Sequence, residues 1–421
     1  MAKKCGATNP ELADEIIFSH ILPRLPAEDL MRCKCVCKSW SSLIRSPSFV
    51  AGFHNFHNNN TTNFFFKQMS RFLSSKIEQQ GTVPTPAAGI FNFQFLNYYF
   101  TDVQSVHGLV CASSLFDSVF ILNPTTRESI QLPHSRVLET RKASVTYRFG
   151  YIPSTNEYKV LQILSFRLDR DGKWDLQFNT FTLGRDSWWR PLQVDPRHLP
   201  FDALAYVHDS HNHLCKYGSV CLNGAVHWIY EKQKLIVAFD VRGETFKAIP
   251  LPEDYDKEIA DYFDQDANDY IGGGDPDDYC HPSMVKVGGC VGVFVDMSWK
   301  RDKIMLWTLK DYHNLVWVKE TISLASEPRH LDFPRFVDAL GTIHTGEFAL
   351  VHYFVGLSPG YGDGPPKVLL YDMKSKQYRI IDFVFPDYGE GDEVDYGFPI
   401  RLMTICDNSI VSLKRDGSSY I

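Results

Sequence analysis

Hydrophobic positions change their period once along this chain. Over residues 11–53 they return at helical spacing. Leu12, Ile16, Ile17, Ile21 and Leu22 form one stripe, and Phe18 adds apolar surface beside it. Pro26 opens a second helix, with Glu28 and Asp29 in the first turn, where negative charge suits the helix dipole. Leu30, Cys33, Val36 and Cys37 are its stripe. A third helix starts near Ser39, carries Trp40, Leu43 and Ile44, and is limited by Pro47. Five of the seven residues from 16 to 22 are apolar. A lone surface helix needs one apolar stripe, so the excess calls for a second partner surface. HNFHNNNTTN (54–63) is polar and reads as a linker.

From about Phe64 the period becomes two. Short runs rich in Val, Ile, Phe, Tyr and Trp alternate with Gly, Pro, Asn and Asp, and no long amphipathic helix interrupts them. Three stretches share one design: FILNPTTRESIQLP (120–133), AFDVRGETFKAIPLP (238–252) and LLYDMKSKQYRIIDF (369–383). Each is an apolar strand, then Asn123, Asp240 or Asp372, a polar turn, and a strand with one apolar face. Asn and Asp suit such turns because their side chains bond nearby backbone. Gly108 and Gly224 precede two of these units by 15 and 16 residues. Repeated four-strand units of this size predict a β-propeller of five or six blades. IVSLKR (410–415) is a candidate to close the ring against the first unit.

Two resemblances follow from these residues. LADEIIFSHILPRLPAEDLMRCKCVCKSWSSLIRSPSF (12–49) resembles the F-box, with LP at 25–26 and VCKSW at 36–40 as its most specific parts. HGLVC (107–111), ILNPTTRE (121–128), LGRDSWWR (183–190), VCLNGAVHWIY (220–230) and the strand–turn units above are similar to the F-box-associated domain, a Kelch-related propeller family expanded in land plants. The implied fold class is an α+β multidomain chain: a small three-helix F-box, then an all-β, propeller-like F-box-associated domain. The expected boundaries are 8–53 for the F-box, 54–89 for a linker and irregular segment, and 90–421 for the propeller.

The resemblance implies a non-catalytic substrate receptor of a Skp–cullin–F-box ubiquitin ligase. Its partners would be a Skp-family adaptor and, through it, cullin and RING subunits. Leu12, Ile16, Leu22, Leu25, Pro26, Leu30, Val36, Cys37 and Trp40 are the expected adaptor-binding residues. The family usually has Pro where Ala13 stands, which puts one adaptor contact in doubt. The competing class is a propeller enzyme or small-ligand binder, and a third reading is an F-box protein acting outside a ligase.

Composition narrows the picture. Of the 421 residues, 44% are hydrophobic, enough for one small and one large domain. No apolar run is long enough to cross a membrane, and MAKKCGATNPELADE lacks the apolar stretch of a signal peptide. Ten scattered Cys suit reduced thiols, so cytoplasm or nucleus is expected. The net charge of −7 is uneven: residues 253–278 hold −10, leaving the remainder near +3. There is no basic stripe, so neither a nucleic acid nor a membrane is an expected partner. The acidic insertion 253–282 carries Tyr255, Tyr262, Asp264 and Tyr270, candidate contacts for a basic protein substrate; the alternative is a solvated insertion.

Other chemistry-bearing patterns read as structure. On a helix Cys33, Cys35 and Cys37 face different ways and cannot easily share an ion. HDSHNHLC (208–215) lacks a second ligand pair at zinc-finger spacing and reads as a surface loop. Gly356–Gly360 fits a nucleophile elbow, but YGDGPP follows it and cannot start the required helix. Gly272–Gly274 lacks the Lys of a phosphate loop. Asp169–Gly172 reads as a hairpin turn, and the Trp residues read mainly as packing. No catalytic residue, cofactor or metal ligand is expected.

Overall fold

The computed structural model describes residues 16–68, 71–78, 83–93, 100–114, 118–136, 138, 143–167, 174–202, 218–230, 233–263, 282–297, 303–323, 335–354, 366–386 and 400–413. Among these described residues, twenty-four strands form six four-stranded antiparallel sheets. Blade 1 combines β24 (Arg401–Cys406) with β1 (Thr61–Gln68), β2 (Arg71–Glu78) and β3 (Ala88–Asn92), in the order β24-β1-β2-β3. Blade 2 holds β4 (Phe100–Val106) to β7 (Glu128–Gln131), and blade 3 holds β8 (Ala143–Ile152) to β11 (Arg190–Pro191). Blade 4 runs from β12 (Val220–Leu222) to β15 (Thr245–Pro250) and blade 5 from β16 (Pro282–Val287) to β19 (Val316–Ser323). Blade 6 runs from β20 (Arg335–Thr342) to β23 (Gln377–Ile381). The inner strands β24, β4, β8, β12, β16 and β20 touch in sequence around the axis and close the ring.

The core is divided into six, one between each pair of adjacent blades. Strand alternation explains it, since successive side chains leave opposite faces of a sheet. In β1, Phe64 and Phe66 pack toward blade 6 with Val351 and Leu370, while Phe65 packs toward blade 2 with Val110 and Leu122. In β17 (Cys290–Met297), Val293 and Val295 face blade 4, and Phe294 faces blade 6. A strand with a core on both faces reads as a continuous apolar run, as VFIL (119–122) does. The outer strands are half wet, and ESIQ (128–131) alternates accordingly.

The recurring Asx turns occupy equivalent places. Asn123, Asp240 and Asp372 end the third strand of blades 2, 4 and 6, and each backbone carbonyl accepts from the N–H four residues on. Asn123 Oδ1 accepts from Thr125 N at 3.0 Å, and Asp372 Oδ1 from Lys374 N at 2.8 Å. The residue before the fourth strand has positive φ each time: Arg127, Glu244 and Lys376. Asp311 repeats the design in blade 5, with Leu315 at positive φ; YHNL hides it from a search for polar turns.

Three expectations need correction. Residues 54–63 are not a linker: a helix runs to Asn58 and β1 starts at Thr61. The Asn residues serve as helix end and side-chain bonds, so their polarity does not mark a free segment. The propeller therefore starts with blade 1, well before residue 90. Closure uses RLMTIC (401–406), which pairs with β1, and not IVSLKR. Residues 410–413 form no strand; they lie against the blade 2 turn, where Asn123 Nδ2 donates to Val411 O at 2.8 Å and Leu413 N donates to Glu128 at 2.7 Å.

Candidate functional site

The N-terminal helices begin with a π-helical turn (Ile17–Ile21) and a 3-10 turn (Leu22–Arg24). Helices α1 (Ala27–Cys33), α2 (Lys38–Ile44) and α3 (Pro47–Asn58) follow. Pro47 ends one helix and opens the next, because its missing N–H costs nothing in a first turn. Ser46 Oγ caps α3 by accepting from Phe49 N. The unit thus has a helix, α3, beyond the expected three. Leu22, Leu30 and Ile44 close over Phe49, Val50 and Phe53 of α3 and over Ile410 from the C-terminal segment.

This packing sorts the expected adaptor contacts. Leu22 and Leu30 are 2% and 0% exposed, so they shape the unit from within and offer no surface to a partner. Leu25 and Trp40 are half-buried, with Trp40 set edge-to-face against Phe18 at 6.0 Å. Pro26 and Cys37 are exposed, and so are Ile16 and Val36, at 45% and 65%. Leu12 lies outside the described residues. Ile21 and Phe56 are also exposed apolar residues. Ile21 belongs to the helical stripe already visible in sequence; Phe56 carried no signal, because its helix was read as a linker. Cys33 packs against the helical core, whereas Cys35 and Cys37 are exposed and bond locally to Met31 O and Ser39 Oγ.

The helical unit sits on one face of the ring. Glu28 lies 3.7 Å from Arg127 in the blade 2 turn. Asn58 Oδ1 accepts from Asn408 N, and Asn58 Nδ2 donates to Asn408 O at 3.3 Å. His54 of α3 stands 3.3 Å from the Asp407 carboxylate and stacks on His107 with centroids 3.6 Å apart. His107 stacks in turn on Tyr151 at 4.0 Å. Burial and the neighbouring His54 push the His107 pKa down to about 4, so its ring is neutral at physiological pH.

The acidic insertion opens on the other face. Strands alternate direction within each blade, so first-to-second and third-to-fourth turns share the face that the helices cover. The 251–281 connection joins a fourth strand to the next first strand and leaves from the opposite side. Its first part is helix α4 (Tyr255–Phe263). Tyr255 is no candidate contact: it is 1% exposed, packed on Trp307 at 5.5 Å. Trp307 Nε1 donates to Asp254 at 2.9 Å, and Lys319 bridges Asp254 and Glu258. Asp256 lies 3.5 Å from Lys234. Part of the negative charge is therefore matched within the fold. Tyr262 lies in α4, with its side chain outside the described residues, as are Asp264 and Tyr270. HDSHNHLC and Gly356–Gly360 are also outside them.

Comparison with known proteins agrees with this architecture. Residues 56–394 match the F-box associated beta propeller domain, and residues 15–51 match an F-box-like domain. A putative F-box protein of Arabidopsis thaliana is 29% identical over 250 residues, 56% of this chain and 59% of that one. An F-box/kelch-repeat protein of the same plant is 25% identical over 410 residues, covering 88% of this chain and 84% of its own length. A solved nidogen/laminin complex covers 83% of the chain at 9% identity with a TM-score of 0.39, too low to bear on function. The propeller match spans most of the chain and coincides with the six blades, and the F-box-like match coincides with the docked helices; the chain belongs to the F-box-associated β-propeller family and is an F-box protein.

Proposed function

We propose that this chain is the substrate-recognition subunit of a Skp–cullin–F-box ubiquitin ligase. The observation that carries the reading is an apolar surplus. After Leu22, Leu30 and Ile44 have closed the helical core, Ile16, Ile21 and Val36 remain exposed on the F-box. Such residues are the surface an adaptor would cover. The F-box is also fastened to the ring through α3 and residues 407–413, on the face opposite the insertion. A fastened module suits proximity catalysis: a substrate lysine is held near a conjugating enzyme carried by other subunits, which raises its effective concentration. The chain itself supplies binding and geometry. Its substrate is a protein held by the insertion face, and its location is the cytoplasm or nucleus.

Co-purification tests the reading. Val36→Asp and Ile16→Asp alter exposed positions, so the chain should keep its wild-type melting temperature while losing Skp-family adaptor and cullin. Trp40→Ala should lose both too, with some loss of F-box stability. Full adaptor capture by the Val36→Asp, Ile16→Asp double variant would overturn the assignment.

A further inference from the structure

We propose that His54, His107 and Asp407 form a zinc-class metal site that fastens the F-box to the propeller at the point of ring closure. The three come from separate parts of the chain: α3, the turn from β4 to β5 (Leu109–Ser114) and the residue after β24. Their ligand atoms all lie within 4.8 Å of one another. Donors around tetrahedral zinc stand about 3.3 Å apart, given bonds of about 2.0–2.1 Å. His54 Nε2 and the Asp407 carboxylate are already 3.3 Å apart. His107 has to move inward by at most about 1.5 Å, and its ring has to rotate off the face of His54 so that a nitrogen lone pair meets the ion. Two imidazoles and a carboxylate suit zinc and its neighbours in the first transition row, with a fourth place left for water. The residues therefore fit the ion.

The β4–β5 turn supplies an independent observation. His107 and Gly108 both have positive φ, as do Asn223 and Gly224 in blade 4 and Gly288 and Gly289 in blade 5. These two-residue turns favour Asn and Gly, which the sister blades use. Blade 2 instead places a histidine there and lays its ring against that of His54, with centroids 3.6 Å apart. Gly108 brings the turn onto the closing segment so tightly that a Cβ would stand 2.3 Å from Ser409 Cβ. The turn is thus held beside Asp407 by the backbone, whatever its side chain does. Lys286 of β16 opposes a cation here, since its charge acts on both His107 and Asp407. It is exposed and free to swing away.

The test is zinc titration into the chelator-stripped full-length chain, read by calorimetry and by thermal denaturation. The expected result is one tight zinc per chain and a melting temperature that rises with zinc. Cobalt in its place should give the absorption of a tetrahedral site. His54→Gln with His107→Asn should abolish this binding while the zinc-free chain keeps its melting temperature, because Asn223 holds the same turn in blade 4. Lys286→Gln should tighten binding about threefold or more by removing a nearby positive charge. Replacing His208, His211 and His213 together by Ala should leave it unchanged. The proposal is overturned if folded wild-type protein takes up no zinc, or if the His54→Gln, His107→Asn variant binds it as wild type does.

Discussion

His227 shows how a single buried group sets a pH limit. It is 1% exposed, on β13 (Ala225–Tyr230) of blade 4. Nδ1 lies 3.3 Å from the Val220 carbonyl, so it carries the proton and donates; Nε2 then accepts from Tyr312 at 3.0 Å. Burial pushes the pKa from 6.5 to about 4, against the two carbonyl bonds that work the other way. The unfolded chain therefore binds a proton through the window from 6.5 to about 4 that the folded chain refuses. Stability is full above that window and falls as the pH drops through it. Between pH 7 and pH 5 the wild type should lose about 2 kcal/mol more than His227→Gln, read from urea denaturation at both values. Equal losses would place the acid sensitivity elsewhere.

At the scale of elements, α4 separates anchor from display. Acid and tyrosine at 253–263 look alike in sequence, yet Tyr255 fills the core between blades 4 and 5 while Asp254 and Glu258 answer Lys319. Tyr255→Ala should therefore behave as a core truncation and cost about 3 kcal/mol of stability, visible as a lower melting temperature. A substrate contact at the same position would leave the melting temperature alone and reduce capture only. On the proposed reading, substrate selection would rest on groups further along the insertion or on other connections of that face. The F-box divides the same way: Leu22 and Leu30 build the helical unit, and Ile16, Ile21 and Val36 are exposed.

At the scale of the molecule, β24 does two tasks. It supplies the inner strand of blade 1, and the residues after it carry the bonds to α3 and to the blade 2 turn. Ending the chain at residue 399 should expose the β1 edge and its Phe64–Phe66 cores and release the F-box together. Proteolysis should then cut between F-box and ring as well as within blade 1. A separate peptide of residues 400–413 should restore protection, because this segment is held by non-covalent contacts, the β24–β1 pairing and the bonds of residues 407–413. Protection of the shortened chain equal to wild type would refute this coupling.

Much of this architecture was legible beforehand. The period change near residue 60, the apolar surplus at 16–22 and the Asx turns at Asn123, Asp240 and Asp372 are local properties. Each depends on side chains a few residues apart, and the chain itself records them. Other matters depend on contacts between residues far apart in the chain, and only the tertiary structure decided them. IVSLKR reads in sequence as the closing strand, yet RLMTIC is the segment paired with Phe65 and Phe66. Asn58 looks like linker until Asn408 meets it, 350 residues later. Tyr255 looks like a display residue until Trp307 covers it. His54, His107 and Asp407 have no spacing that marks them as a group. Periodicity reports which face of a strand or helix is apolar; it does not say which partner covers that face, because ring closure and docking bring together segments that share no sequence neighbourhood.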